Sequence, residues 1–113
     1  MPHSSASLSG LKGSAPVFAA LGDETRLRLV FRLCDEGPMS ITKLVSGSRV
    51  TRQAITKHLV VMERAGLVHG SRRGRERIWE LEKKRLQVAK GYLEAISEQW
   101  DAALDRLRKL VEE

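Results

Sequence analysis

The last third of the chain sets the tightest constraint on its fold. From Lys83 to Glu112 there is no proline and one glycine, Gly91. Apolar residues recur alternately every three and four positions: Leu86, Ala89, Leu93, Ile96, Trp100, Ala103, Leu107 and Leu110. That spacing places all eight on one seam of a continuous helix, about 30 residues and ~45 Å long. A chain of 113 residues forms one domain with a modest core. A domain that small cannot cover the whole stripe, and a second copy of the same helix can. The seam therefore predicts a homodimer through Leu86, Leu93, Ile96, Trp100 and Leu107, helped by Val17, Phe18 and Leu21 near the other end of the chain. Dimer packing is the expected role of Trp100. A small-molecule effector seated at the seam, near Trp100 and Tyr92, stays open.

Charge is the second constraint. Residues 43–77 carry nine Lys and Arg against two acids, while residues 1–42 are neutral and 78–113 sum to −1. The net charge of +6 thus sits almost wholly in one third of the chain, the footprint expected for a polyanion. No apolar run approaches the ~20 residues of a membrane span, and no secretory signal is visible at the N-terminus. A single cysteine, Cys34, excludes an internal disulfide. These features predict a cytoplasmic protein with no membrane partner. Residues 1–14, rich in Ser and Gly, read as a flexible tail ahead of one domain over 15–113.

Within that domain the element signals are local. Pro16 suits a helix start, with Gly22 closing the short helix. Asp23 suits the N-cap of the next, which carries two apolar stripes: Leu27, Val30, Phe31 and Cys34, and Leu29 with Leu33. Cys34 on such a stripe, beside Asp35 and Glu36, reads as core rather than as a reactive thiol. Gly37-Pro38 ends that helix. A short helix over Ile41–Ser46 and a turn at Gly47–Arg49 lead to a helix capped by Thr51 and stopped by Gly66. On it, Ile55, Leu59 and Met62 share one face, and Arg52, Gln53, Thr56, Lys57 and Val60 the other. A polar, basic face with one aliphatic position supplies what base edges, phosphates and a thymine methyl require. Two strands, Leu67–Arg72 and Glu76–Leu81, flank the turn Arg73-Gly74-Arg75. With Arg72 and Arg77 this hairpin concentrates cations suited to phosphate or the minor groove. The expected fold is mainly α with a small β-hairpin wing: a winged helix-turn-helix followed by a long dimerisation helix, 83–112.

In this order the motifs resemble the ArsR/SmtB (arsenic-repressor-like) family of bacterial transcription regulators. "FAALGDETRLRLVFRLCDEGPMSITKL" resembles the family's opening helices, "VTRQAITKHLVVMERAGLV" its recognition helix, and "SRRGRERIWEL" its wing. The resemblance implies a homodimeric DNA-binding regulator, usually a repressor of its own operon, acting on an inverted-repeat operator. It also implies a DNA-contact set of Thr51, Arg52, Gln53, Thr56, Lys57, His58, Arg72, Arg73, Arg75 and Arg77. For His58, packing with one hydrogen bond is favoured over direct contact. His69 is expected to face solvent. Many relatives release DNA on binding a metal, but this chain lacks the required ligands. The stretch Ile41–Ser46 has none of the family's paired cysteines, and no histidine follows His69. Metal and cofactor are accordingly expected to be absent. No nucleophile–base pair, carboxylate pair or phosphate-cradling loop points to an enzyme. A protein-interaction module acting through the long helix is the competing class, and it leaves the concentrated charge unexplained.

Overall fold

The computed structural model describes residues 13–112. Residues 13–21 are helical (α1). There follow α2 (Glu24–Glu36), β1 (Met39–Ser40), α3 (Ile41–Val45), α4 (Arg52–Arg64), β2 (Val68–Arg73), β3 (Glu76–Leu81) and α5 (Lys83–Glu112). The strands form an antiparallel sheet in the order β1-β3-β2. The architecture is a winged helix-turn-helix with a long C-terminal helix. No described helix is long and apolar enough to cross a membrane.

Short polar side chains start three of the helices. Asp23 accepts from the backbone N–H of Arg26 at 3.0 Å, Ser40 from Lys43 at 3.2 Å and Thr51 from Ala54 at 3.2 Å. Each satisfies an N–H that the helix itself leaves without a partner. At the end of α4, Gly66 takes a φ of 76°. Its N–H bonds the Glu63 carbonyl, and the Leu67 N–H bonds that of Met62. This is a Schellman closure, and it turns the chain directly into the wing. The wing tip is the two-residue loop Gly74-Arg75, with Arg73 paired to Glu76. Gly74 at φ 64° followed by a residue of negative φ matches a type II′ turn, whose twist suits a hairpin.

The core gathers one face of each element: Val17 from α1, Leu29 and Leu33 from α2, Leu44 from α3, Ile55, Leu59 and Met62 from α4, and Trp79 from β3. Ala89 brings the first turns of α5 against it.

Several sequence expectations need correction. Residues 13 and 14 are helical and Ser14 is fully buried, so Pro16 lies inside α1 and these two residues do not belong to the tail expected over 1–14. The start of α1 runs close to α5, where a Cβ added to Gly13 would stand 3.7 Å from Val88. Residues 1–12 of the expected tail lie outside the described residues. Val17, expected at a dimer interface, is fully buried in the core and is unavailable to a partner. The two stripes of α2 cannot both reach one small core. Leu29 and Leu33 win, which leaves Leu27 51% and Phe31 70% exposed and turns Cys34 outward, against its expected place in the core. On α4 the exposed aliphatic position is Val61 rather than Val60, which is half-buried. The strand β1 has no counterpart in the sequence reading. Its two residues pair with Trp79 and Ile78, and two residues show no periodicity.

Ile55 is 1% exposed. Ile55→Ala is expected to destabilise the fold by about 2–5 kcal/mol, read as a lowered melting temperature. The Asp23 carboxyl is held below its ordinary value, chiefly by the Arg26 N–H bond, which outweighs the opposing effect of desolvation, with the nearby charges of His58 and Arg26 adding to it. A depressed folded value means that this stabilisation is complete above the ordinary value of 3.8 and is lost as pH falls through the lower folded value. Asp23→Ala is expected to lower the melting temperature at neutral pH. The gap from the parent should close in the acid range below 3.8.

Candidate nucleic-acid interface

Once Ile55, Leu59 and Met62 are buried, the 3.6-residue repeat of α4 sends most of its first two turns outward, Ala54 and His58 staying half-buried. Thr51, Arg52, Gln53, Thr56 and Lys57 are all exposed. They form a polar, cationic surface of about the width a major groove admits. Two internal contacts organise it. Arg52 Nη1 lies 3.5 Å from Thr42 Oγ1 on α3, and the Thr56 hydroxyl donates to the Arg52 carbonyl at 2.9 Å. With its proton so used, the Thr56 oxygen presents lone pairs outward and suits a donor on a ligand. Arg52 leans toward α3, where Thr42 and Lys43 are also exposed. The helix-turn-helix pair therefore offers one joint surface.

The wing divides into two roles. Arg72, Arg73 and Arg75 project exposed from the strand ends and tip. Arg77 is engaged internally. Its Nη2 lies 3.2 Å from Glu63 Oε2, and its guanidinium carbon sits 4.6 Å from the centre of the Trp79 ring. A partly exposed ion pair contributes about 0.2–1 kcal/mol, and a half-exposed guanidinium over an aromatic ring about 0.5–1 kcal/mol. Together they hold Arg77 as a brace between the end of α4 and the wing. Glu63 also accepts from the Gly70 N–H at 3.4 Å. A Cβ on Gly70 would collide with the Arg77 guanidinium, so the absent side chain makes room for the brace. Of the four wing arginines, Arg77 thus has its charge offset within the domain by Glu63.

His58 is half-buried, with Nδ1 3.2 Å from Arg26 Nη1 and 3.9 Å from Asp23 Oδ2. It sits against the start of α2, in the packing role favoured for it, and not on the outward surface. Arg26 is the member of this group that sequence reasoning missed. Its Nε donates to the Ala20 carbonyl at the end of α1 while Nη1 reaches His58, so one side chain joins α1, α2 and α4. Arg32 was also missed. It donates to the carbonyls of Leu44 at 2.9 Å and Lys43 at 3.3 Å, and pairs with Glu36 at 3.2 Å. It thereby closes the C-terminus of α3, where carbonyls lack helical partners. Both lie within the opening-helix motif, but their partners on α1, α3 and α4 are distant in the chain and local pattern does not reveal them.

His69 is half-exposed, with Glu80 Oε1 at 3.3 Å and Glu82 Oε1 at 3.4 Å on its two ring nitrogens. The two nitrogens point to different carboxylates, whereas a chelate needs both ligands converging on one point. Among the described residues no group of three His, Cys, Asp or Glu is arranged to hold a metal ion.

Residues 21–70 match the family described as "Helix-turn-helix domain". The chain is 35% identical over 85 residues to YuzN, an uncharacterised HTH-type transcriptional regulator of Bacillus subtilis, covering 69% of this chain and 92% of the relative. It is 31% identical over 93 residues to the HTH-type transcriptional regulator Rv2034 of Mycobacterium tuberculosis, covering 82% and 83%. Among solved structures it is similar to an ArsR-like transcriptional regulator from Rhodococcus sp. RHA1, with a TM-score of 0.75 at 34% identity over 88% of this chain and 92% of that one. The order of elements, the outward face of α4 and these likenesses agree: the chain belongs to the ArsR-like family of winged helix-turn-helix transcriptional regulators.

Proposed function

We infer that the protein is a homodimeric, sequence-specific DNA-binding repressor, of its own operon, that works without a metal ion. The observation that carries this function is the division of α4. Its apolar face is consumed by the core, and Arg52, Gln53, Thr56 and Lys57 face outward beside Thr51. Arg and Gln bond guanine and adenine bidentately in the major groove. Arg72, Arg73 and Arg75 then hold the adjacent backbone or minor groove, contributing affinity more than sequence preference. Dimerisation follows from α5, on which Leu93, Ile96, Trp100 and Leu107 are 43–64% exposed. A two-fold dimer reads an inverted repeat with half-sites about one helical turn, ~34 Å, apart.

Binding to a selected duplex is expected to weaken steeply with salt, because each neutralised phosphate releases counterions. Gln53→Ala should cost ~1–3 kcal/mol on the selected site and little on random DNA. Arg73→Ala should weaken both similarly and reduce the salt slope by about one unit per subunit. Neither should shift the melting temperature as Ile55→Ala does. A salt-independent affinity, or a Gln53→Ala protein that melts as early as Ile55→Ala, contradicts the assignment.

Metal independence has its own test. Zinc or arsenite added to the protein–DNA complex, with a chelator as control, is expected to leave the bound fraction unchanged. Stoichiometric release of DNA by either would place this chain among the metal sensors.

A further inference from the structure

A cleft of about 240 Å³ opens between α2 and the turn that joins α3 to α4. Its lining is of two kinds. Leu29, Leu44 and Ile55 line it, and all three are at most 3% exposed, so its inner end reaches the core. Arg28, Arg32, Ser48 and Arg49 line it as well, and among the described residues no acidic side chain does. Two other hollows lack this combination. That of the wing is lined by Gly70, Arg72, Arg75 and Arg77, without an apolar wall. The groove beside Cys34 mixes Glu80 and Glu82 with Lys83 and Lys84, so its charges select no ligand.

Hydrogen bonding decides which donors of the cleft are open to a ligand. Arg32 is committed to the Leu44 and Lys43 carbonyls and to Glu36. Arg28 spends Nη2 on Glu24. Arg49 is exposed and has no ion-pair partner among the described residues. The Ser48 hydroxyl accepts from the Val50 N–H at 3.1 Å, which leaves its proton to donate. Three guanidinium groups against the carboxylates of Glu24 and Glu36 leave one positive charge, which a single carboxylate neutralises. The planar fork of an arginine matches that group. An apolar cavity of about 150 Å³ accommodates a benzene ring, so this cleft has room for one ring and its acid group. We propose that the cleft is an effector site for a small aromatic monocarboxylate, its ring on Leu29, Leu44 and Ile55 and its carboxylate bonded by Arg49, Arg28 and Ser48.

The position of the cleft gives the ligand an effect on DNA binding, a consequence that rests on the function proposed above. One wall is the segment 47–50, which runs directly into Thr51, the cap of α4. A bound carboxylate takes up the Arg49 charge and sets a negative charge beside the start of α4, where phosphates approach in the proposed complex. The ligand therefore weakens DNA binding. By linkage, DNA weakens the ligand by the same factor.

Benzoate is the probe, added to the labelled free protein at constant ionic strength and followed by amide chemical shifts. Saturable perturbations are expected at Thr25, Leu29, Leu44 and residues 47–50. Benzyl alcohol, which keeps the ring without the charge, and inorganic phosphate, which keeps charge without the ring, should both bind more weakly. Arg49→Gln should lower benzoate affinity by about tenfold or more, the loss of one charge-assisted hydrogen bond, and should melt with the parent because Arg49 is exposed. No perturbation in the millimolar range, benzyl alcohol or phosphate binding as tightly as benzoate, or full affinity in R49Q overturns the site. A second arm measures the affinity for a selected duplex with and without saturating benzoate, which should lower it at least about fivefold. Benzoate bound in the cleft with DNA affinity unchanged overturns the coupling and leaves the site standing. A chain without sequence-specific DNA affinity overturns the function proposed above, and the titration of the free protein still decides the site.

Discussion

The placement of three side chains, Ile55, Leu59 and Met62, governs the rest of the structure. All three are essentially excluded from water, and their burial sets the rotation of α4 about its axis. A shift of one residue would turn the helix by 100° and exchange core positions for surface ones. With the rotation set by packing, no further interaction is needed to aim Gln53 and Lys57 outward. The cost of losing such packing, about 2–5 kcal/mol per large side chain, exceeds any single polar contact at the interface. The core, rather than the interface, therefore dictates what the interface presents.

Two polar clusters locate α4 along its length and relative to its neighbours. Near its middle, His58 meets Arg26, which in turn holds the end of α1 and lies beside the cap residue Asp23. At its far end, Glu63 meets Arg77 and the Gly70 amide, and the Schellman turn at Gly66 delivers the chain into β2. One cluster ties α4 to the body of the domain and the other ties the wing to α4. Exposed side chains on α4 and the wing keep a fixed relation to one another only when such supports hold the elements that carry them.

Much of this was legible in the sequence wherever a signal repeats. The phase of α4, the caps Asp23 and Thr51, the hairpin about Gly74 and the full length of α5 follow from period, capping chemistry and turn residues, and the structure reproduces them to within a residue or two. What was not legible depends on competition or distance. Helix α2 offers two apolar stripes, and only the surrounding core decides that Leu29 and Leu33 go in while Phe31 and Cys34 stay out. Val17 reads equally well as interface or core until the position of α2 is known. The pairing of β1 with β3, the reach of Arg32 to α3 and the Glu63–Arg77–Trp79 brace join residues far apart in the chain, for which local periodicity carries no information. Of the contact set expected from sequence, Thr51, Arg52, Gln53, Thr56, Lys57, Arg72, Arg73 and Arg75 lie exposed, whereas His58 and Arg77 are occupied in holding α4 in place.

The central claim is that the surface left outward by the packing of α4 is the one that meets DNA. Amide chemical-shift mapping of the labelled protein, titrated with a duplex selected from random sequence, tests it most directly. The account predicts that the largest perturbations cluster at residues 51–57 and 72–75, with core amides of α2 and β3 little changed. Perturbations confined to α2 and α5, with the outward face of α4 silent, would contradict it.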